Sequence, residues 1–264
     1  MVDVELTILK VLASLFSLAI ILSPLLGLRR VLNQKHTGEM ALMPLVGLWI
    51  SSHMWTIYGL TTDDIFPLFV TYLVGDIASV VYMSIYYRYT AEKVYARRAI
   101  FAASIVVIII TAYTILGKAG VTDQSSHDVE QVVGYVTAIG SVLLYTSPFE
   151  TITRVFKTKS GASIPVLMCT MGFVGNSLWS VYGLLQDDAF VYAIGMFCAF
   201  FALLQVALYF IYDPSKAPTQ KQQQHEVGEL AGATLDDITS KYEVCIPVES
   251  PCFQAIKSPL EHLK

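Results

Sequence analysis

The sequence predicts an all-α membrane protein in which seven transmembrane helices form two parallel three-helix bundles joined by a linker helix. Three observations lead to this prediction. Hydrophobic residues make up 55% of the chain and charged residues only 14%, about half the charged fraction of an ordinary globular domain. Several stretches reach the about 20 mostly apolar residues that a bilayer crossing needs. A long segment also occurs twice, which indicates an internal duplication.

Seven apolar stretches are long enough to cross a bilayer. The most apolar, AIFAASIVVIIITAYTILG at 99–117, contains no charged residue. The first is preceded by Asp3 and Glu5, where a signal peptide would carry basic residues, and we expect it to be retained as a helix. A single soluble core is disfavoured, because its helices would have to be this apolar on every side. The predicted spans are 6–27, 41–60, 65–87, 99–117, 130–152, 165–185 and 188–212.

The duplication is clearest in two twelve-residue segments, WTIYGLTTDDIF from Trp55 and WSVYGLLQDDAF from Trp179. Trp, Tyr-Gly-Leu, Asp-Asp and the final Phe are identical, and the offset is 124 positions. Each copy holds three helices, an odd number, so the unrepeated fourth helix is needed to give the second copy the same orientation as the first. The predicted units are a first repeat at 1–90, linker helix 4 at 91–125, a second repeat at 126–212 and a polar, disordered cytoplasmic tail at 213–264.

Lysine and arginine are concentrated in alternate loops. Because short cytoplasmic loops are enriched in these residues, the bias places the N-terminus outside and the C-terminus in the cytoplasm. The opposite loops are acidic, with TTDD, QDD and TDQSSHDVE. The basic loop residues are Arg29, Arg30, Lys35, Arg88, Lys93, Arg97, Arg98, Arg154, Lys157 and Lys159.

These features together resemble the SWEET family of sugar transporters, whose two parallel repeats are related by an axis along the membrane normal. The resemblance covers about 7–212, and its motifs keep their order in both halves. The absence of Pro-Gln after helices 1 and 5 distinguishes the chain from the related PQ-loop transporters. The motifs are LSPL (22–25), WTIYGL (55–60), TSPF (146–149), VFKTKSGASIP (155–165), WSVYGLLQDDAF (179–190) and LLQVALYFIY (203–212).

The resemblance implies two sets of moving contacts. Prolines in helices 1, 2, 5 and 6 of the family would act as hinges and a cytoplasmic gate, since proline gives a helix a place to bend; kinking or capping of helix ends is the alternative. A tyrosine and an aspartate would close the extracellular mouth, and solvated acidic loops are the alternative. The matching hinge residues are Pro24, Pro44, Pro148 and Pro165, and the extracellular gate residues are Tyr58, Asp188, Tyr182 and Asp64.

The substrate site is expected between the two bundles. Trp55 and Trp179 would face each other there, because an indole face packs well against a sugar ring, although tryptophan is also common at membrane interfaces. Ser51 and Asn176 lie on the same two helices and are assigned to the same site.

The chain departs from the family at the asparagine expected on the third helix of each repeat. Tyr72 and Gly195 stand at these positions, and we assign both to the substrate site. Asp76 lies one turn after Tyr72, so we expect it to face the cavity as well. A carboxylate at that depth marks a functional group by default, and a satisfied structural group is the alternative.

We therefore expect facilitative sugar transport by alternating access, with a monosaccharide such as glucose as substrate. The alternatives are a proton-coupled transporter of sugar or another small solute that uses Asp76, and a seven-helix receptor. Without a phosphate-binding glycine loop or a paired nucleophile and base, no enzymatic activity, cofactor or metal is expected. The expected partners are a sugar, the lipid bilayer and further copies of the chain in a homo-oligomer, with no nucleic acid. The plasma membrane is the expected location, and an intracellular or vacuolar membrane is the alternative.

Overall fold

The computed structural model describes residues 2–38, 40–144, 151–153, 155–157, 161 and 164–212. Within these residues the secondary structure is entirely helical. Each predicted span contains a helix, and the Asp64 region adds one π-helical turn at Ile65–Phe69 before the third long helix. We number the long helices in chain order: α1 Val2–Leu22, α2 Pro24–Gln34, α3 Met43–Thr61, α4 Val70–Tyr89, α5 Lys93–Lys118, α6 Ser126–Leu144, α7 Val166–Leu185 and α8 Ala189–Ile211.

In the part of the chain that the structure describes, four helical segments are long and apolar enough to cross a membrane: Val4–Gln34, Ile65–Tyr89, Lys93–Lys118 and Ala189–Ile211. The remaining long helices, α3, α6 and α7, carry more polar or aromatic residues. In α3 and α7 several of these line an interior cavity, which explains their lower hydropathy. The crossing of the membrane by all seven segments in a three-plus-one-plus-three arrangement therefore stays a prediction.

The two repeats contact each other reciprocally. The first helix of the first repeat, α1, packs on α7, the second helix of the second repeat, and α6 packs on α3 in the same way. The linker helix α5 packs mainly on α3 and also on α4 and α6. Such an exchange of partners is the pattern expected for two copies related by a two-fold axis.

The buried apolar residues form one shared cluster at one end of the bundle and separate clusters at the other. The shared cluster joins Trp55 and Tyr58 with Trp179 and Tyr182. At the other end, Leu28, Tyr82 and their neighbours form a cluster within the first repeat and the start of α5. Ile152, Leu208 and their neighbours form another within the second repeat. Among the described residues, the shared cluster thus joins the two repeats at one end of the bundle.

We call the end with the shared cluster the aspartate end, after Asp64 and Asp188, and the opposite end the proline end, after Pro24, Pro44 and Pro165. A second unit, Pro218–Lys264, lies outside the described residues together with the rest of the predicted tail from 213.

Candidate functional site: an aromatic cavity between the repeats

The glycine of each Tyr-Gly-Leu motif lets two helices of a repeat approach closely at the aspartate end. A Cβ at Gly59 would lie 2.7 Å from the backbone nitrogen of Phe69, and a Cβ at Gly183 would lie 2.5 Å from that of Tyr192. Real Cβ atoms essentially never come this close to another atom. The motif therefore contains glycine because the second helix of each repeat packs directly against the backbone that begins the third.

The two aspartates of each Asp-Asp pair have different structural roles. Asp63 and Asp187 adopt left-handed conformations with φ of 57° and 55°, which aspartate tolerates better than most residues. The second aspartate of each pair then begins the next helix. Asp188 accepts hydrogen bonds from the backbone nitrogens of Phe190 and Val191, both 3.0 Å away, as an N-cap residue does.

These second aspartates bond the tyrosines of the opposite repeat. The Tyr58 hydroxyl donates to Oδ1 of Asp188 over 3.0 Å, and the Tyr182 hydroxyl donates to Oδ2 of Asp64 over 2.7 Å. The structure thus brings all four predicted extracellular gate residues together as two crossed pairs. Each pair links a helix of one repeat to the loop of the other, which holds the aspartate end closed.

The two pairs differ in their electrostatic surroundings. The Lys10 ammonium lies 5.8 Å from the centroid of the Tyr182 ring and so stands near the Tyr182–Asp64 pair. Asp64 lies in the loop between α3 and the π turn. Burial raises the pKa of its carboxyl, and the hydrogen bond from Tyr182, the backbone N–H of Leu68 and the charge of Lys10 oppose the rise. The Tyr182–Asp64 pair is therefore the one with a cation beside it.

On the proline side of the crossed pairs, three aromatic rings form a layer across the interface between the repeats. Tyr72 stands between the two tryptophans. Its centroid is 5.8 Å from that of Trp55 at an interplanar angle of 24°, and 5.8 Å from that of Trp179 at 37°. Ser17 joins the layer, because Trp179 donates its indole N–H to the serine Oγ over 2.7 Å and the Tyr72 side chain also interacts with Ser17. The tyrosine at the departure from the family pattern fills the slot between the indoles.

A cavity of about 340 Å³ extends from this aromatic layer toward the proline end. Its volume is at the lower end of the about 300–1,000 Å³ typical of small-molecule sites. The predicted residues Trp55, Trp179, Tyr72, Ser51, Asn176 and Gly195 all line it. The Asn176 side-chain nitrogen donates to the Gly172 carbonyl. Aliphatic and aromatic side chains form most of the lining, and a few polar groups are placed among them, which is the composition typical of a small-molecule site.

Asp76 is not among the residues that line the cavity. Its Oδ2 lies 2.9 Å from Nδ1 of His53 on α3, so its helical face is turned toward the neighbouring helices of the first repeat. A four-residue step rotates the direction of the side chain by about 40° relative to Tyr72, and here Asp76 lies on the side of that face that contacts His53 of α3. The expectation that Asp76 faces the cavity is therefore not met, and its position agrees with the satisfied structural group named as the alternative.

Three of the four predicted hinge prolines fall within the described residues, and each of these lies at a helix boundary. Pro24 begins α2 directly after the break at Ser23 that separates it from α1, so it interrupts the first span. Pro44 lies in the first turn of α3, and Pro165 is the N-cap residue of α7. Only Pro24 among these three interrupts a continuous helical span. Pro148 lies outside the described residues.

Several cavity residues were missed by the sequence reasoning. Ser17, Ser52, Ser141 and Gln205 supply further polar groups, and Cys169, whose Sγ lies 3.5 Å from Oε1 of Gln205, supplies a thiol. The signal that could have found them is the isolated polar residue in an apolar span, which in a membrane protein commonly faces the interior of the bundle.

Comparison with known proteins agrees with this architecture. The family described as "Sugar efflux transporter for intercellular exchange" matches residues 7–94 and 131–217, two ranges that overlap the predicted repeats at 1–90 and 126–212. Among solved structures, a eukaryotic SWEET transporter matches with a TM-score of 0.68 at 21% identity, covering 80% of this chain and 97% of that one. This structural likeness shows the fold.

Curated relatives extend over most of the chain. "Bidirectional sugar transporter SWEET3" of Arabidopsis thaliana is 29% identical over 209 residues, 77% of this chain and 78% of its own length. "Bidirectional sugar transporter SWEET17" of the same plant is 24% identical and covers 88% of this chain and 95% of its own length. "Sugar transporter SWEET1" of Drosophila pseudoobscura pseudoobscura is 24% identical, and the match covers 70% of this chain and 80% of its own length.

Proposed function

This chain belongs to the SWEET family of membrane transporters, and from that premise we propose that it is a facilitative carrier of a monosaccharide such as glucose. Family members are transporters and not enzymes. The observation that carries the proposal is the cavity under the Trp55–Tyr72–Trp179 layer, closed at the aspartate end by the crossed Tyr–Asp pairs.

The chemistry of the cavity suits a single sugar ring. Indole and phenol faces pack against the C–H faces of a pyranose, while Ser51, Asn176 and Gln205 offer hydroxyl and amide groups to its hydroxyls. Carboxylates and cations are absent from the cavity lining among the described residues. A neutral polar substrate therefore fits better than an amino acid or an organic anion.

The size of the cavity supports a monosaccharide. Tyr72 occupies the slot between the tryptophans, so a sugar has to lie on the proline side of the aromatic layer. Gly195, the counterpart of Tyr72 in the second repeat, adds no side chain to the lining. At Gly195, α8 approaches α7 too closely to leave room for a side chain, because a Cβ would lie 2.6 Å from Oγ of Ser180.

Alternating access is supported by the unequal closure of the two ends. A carrier with its extracellular end closed and its cytoplasmic end separated is in an inward-facing arrangement. The shared cluster and the crossed pairs lie at the aspartate end, and the proline end holds one cluster for each repeat. The proline end also carries Arg29, Arg30, Arg88, Lys93, Arg97 and Arg98, which favours the cytoplasmic side for that end.

The test is uptake of radiolabelled solutes into liposomes that contain only the purified full-length chain. We expect equilibrating, saturable uptake of hexoses, slower uptake of sucrose and none of amino acids. The rate should be the same with and without an imposed pH gradient, as a uniporter requires. The variant Trp55→Ala/Trp179→Ala serves as the inactive control. Hexose uptake equal to that of this control would exclude the proposal, and accumulation above equilibrium driven by a proton gradient would exclude uniport.

A further inference from the structure

The transport cycle proposed above does not use a chain of polar side chains that crosses three helices of the first half. His53 of α3 lies between Asp76 of α4, with 2.9 Å from its Nδ1 to Oδ2, and Thr111 of α5, with 2.8 Å from its Nε2 to Oγ1. The Thr111 Oγ1 is also 2.8 Å from the Val107 carbonyl oxygen. The imidazole thus bridges the first repeat to the linker helix, away from the cavity lining.

The number of protons in this chain follows from its donors and acceptors. If the Thr111 hydroxyl donates to the Val107 carbonyl, Nε2 of His53 has to donate to Thr111. A second proton then has to lie between Nδ1 and the Asp76 carboxylate. Without that proton, Nδ1 and Oδ2 would both be hydrogen-bond acceptors and would face each other at 2.9 Å. In this arrangement the histidine and aspartate together carry no net charge.

A second arrangement has one proton fewer and keeps both hydrogen bonds of His53. The Thr111 hydroxyl rotates toward His53 and donates to Nε2, while Nδ1–H donates to Oδ2 of the ionised Asp76. Both ring nitrogens keep a partner, and the net charge becomes −1. The hydroxyl of Thr111 lies 2.8 Å from both acceptors, so it can serve either arrangement by rotation about one bond.

We propose that His53, Asp76 and Thr111 form a binding site for a single proton between the first repeat and the linker helix. The proton is taken from or released to water, and no other bond forms or breaks. The site goes beyond the proposed function, since facilitated transport needs no bound proton. Its two main side chains are 14% and 18% exposed.

No neighbouring charge in the described residues substitutes for the proton. The His53–Asp76 contact is the one ion pair there within 4.0 Å. Other charged groups on the helices packed against the trio lie toward helix ends, and Lys118, two turns from Thr111, donates to the Thr61 carbonyl. The remaining charged and titratable groups on these helices are Glu5, Lys10, Arg29, Arg30, Arg88, Lys93, Arg97, Arg98, His127, Asp128 and Glu130, with Tyr58, Tyr72, Tyr82, Tyr86, Tyr87, Tyr89, Tyr95, Tyr113 and Tyr135.

The sign of the effect follows from the cost of a net charge at membrane depth. Loss of the proton leaves an uncompensated negative charge among apolar helices, which is unfavourable. The packed arrangement of α3, α4 and α5 is therefore more stable with the proton bound. A free histidine loses its proton near pH 6.5, so above that pH the unfolded chain no longer holds the proton that the folded site binds. We therefore expect the melting temperature of the protein to fall over the pH range that begins near 6.5 and extends upward.

The experiment measures the melting temperature of the purified full-length protein by intrinsic fluorescence across that pH range. Release of one proton corresponds to a fall of about 2–5 °C per pH unit. Asp76→Asn should remove the contribution of this site to the slope, because the amide oxygen accepts from Nδ1–H, Thr111 donates to Nε2, and no proton can be lost. A contribution from Asp64 is common to the wild type and the variant, so the slope of the variant should be smaller by that of one proton. Asp128→Asn, which changes an exposed carboxylate bonded to Ser125, is the matched control and should keep the wild-type slope.

Two further variants keep the test decisive if Asp76→Asn does not fold. Thr111→Ser retains the hydroxyl and should retain the slope. His53→Gln can bridge its neighbours through its amide but cannot bind the proton, so it should melt lower than wild type and without the contribution of this site to the slope. Parallel pH slopes in wild type and in whichever of Asp76→Asn and His53→Gln folds would overturn the proposal. Because melting requires no sugar, this outcome is distinguishable from a failure of the proposed transport function.

Discussion

Tyr58 of the first repeat donates its hydroxyl hydrogen to Asp188 of the second, and the same bond recurs with the repeats exchanged, from Tyr182 to Asp64. The ring of Tyr58 also packs edge-to-face against Trp55 and Phe190. The same residues therefore close the aspartate end and cover the aromatic layer of Trp55, Tyr72 and Trp179 on that side. Opening that end has to break both hydrogen bonds and separate these rings.

Tyr58→Phe should weaken this closure without removing the ring. A hydrogen bond to a charged group contributes about 1.5–3 kcal/mol in soluble proteins, and bonds between membrane helices average about 0.6 kcal/mol. We expect a loss of about 1 kcal/mol, a roughly fivefold shift toward the open state. The measurement is the rate at which an impermeant maleimide, added at the aspartate side, modifies a variant whose single cysteine is Cys169, a residue of the cavity lining.

The second pair and an exposed tyrosine complete this test. Tyr182→Phe should have an effect of similar size, and the double variant should open further than either single variant. Tyr192→Phe, at a side chain that is 39% exposed, should leave the rate unchanged. An unchanged rate in the Tyr58→Phe/Tyr182→Phe double variant would show that the crossed hydrogen bonds do not hold this end closed.

Asp64→Asn should stabilise the protein at neutral pH. Burial raises the pKa of Asp64, so the folded protein keeps the proton on this carboxyl to a higher pH than the unfolded chain does. The stability of the wild type therefore falls as the pH rises from about 4, the value of a free aspartate, through the raised pKa of Asp64. Asparagine keeps an acceptor for Tyr182 but does not ionise. The melting temperature of the variant should exceed that of the wild type at neutral pH, with the difference shrinking in acid.

The adjacent carboxylate supplies the control for that measurement. Asp63 is exposed and left-handed, and asparagine adopts this conformation readily. Asp63→Asn should change the melting temperature little at any pH. A stabilisation equal to that of Asp64→Asn would assign the effect to net charge at this end of the protein and not to burial of Asp64.

Gly59→Ala and Gly183→Ala should both destabilise the fold. The added methyl group would meet backbone atoms at 2.7 Å and 2.5 Å, and backbone cannot rotate away as a side chain can. Overpacking of this kind costs about 1–3 kcal/mol, measured as a lower melting temperature. Gly27→Ala is the control, because its Cβ would lie 3.6 Å from the flexible end of Met40. Equal tolerance of all three substitutions would contradict the close helix approach.

The repeated motif shows how far the sequence could predict the structure. An identical Tyr-Gly-Leu…Asp-Asp at an offset of 124 predicted the duplication. The family resemblance implied a gate at Tyr58 and Asp188, and the repeat added Tyr182 and Asp64 as their counterparts; the structure places these four side chains in two hydrogen-bonded pairs. The position of Asp76 could not be predicted, because its partner His53 lies on another helix and a sequence carries no rotational setting between helices. The same limit applies to Pro44 and Pro165, whose places at helix ends depend on where each helix begins.

Trp179→Ala should reduce sugar transport more than Trp179→Phe. Phenylalanine retains an aromatic face against Tyr72 and Tyr182, and such contacts are worth about 0.5–1.5 kcal/mol. It loses the indole bond to Ser17, so Ser17→Ala should match the effect of Trp179→Phe on the transport rate. If Trp179→Ala, Trp179→Phe and Ser17→Ala all reduce the transport rate equally, the hydrogen bond matters and the area of the ring does not.

The size of the substrate should depend on Tyr72. Its ring lies between two indoles that are otherwise free to face a ligand, and it limits the cavity to the proline side of the aromatic layer. Tyr72→Asn removes most of the ring, opens the slot and restores an amide at the position where the family resemblance expects one. We expect the ratio of sucrose uptake to glucose uptake in liposomes to rise about tenfold, which corresponds to about 1.4 kcal/mol. Tyr72→Phe keeps the ring and should keep the ratio.

Gly195→Asn, the equivalent change in the second repeat, should instead disrupt the fold, because its Cβ would lie within 3.0 Å of α7. A sucrose-to-glucose ratio unchanged in Tyr72→Asn, with glucose uptake intact, would show that the tyrosine ring does not limit the size of the transported sugar.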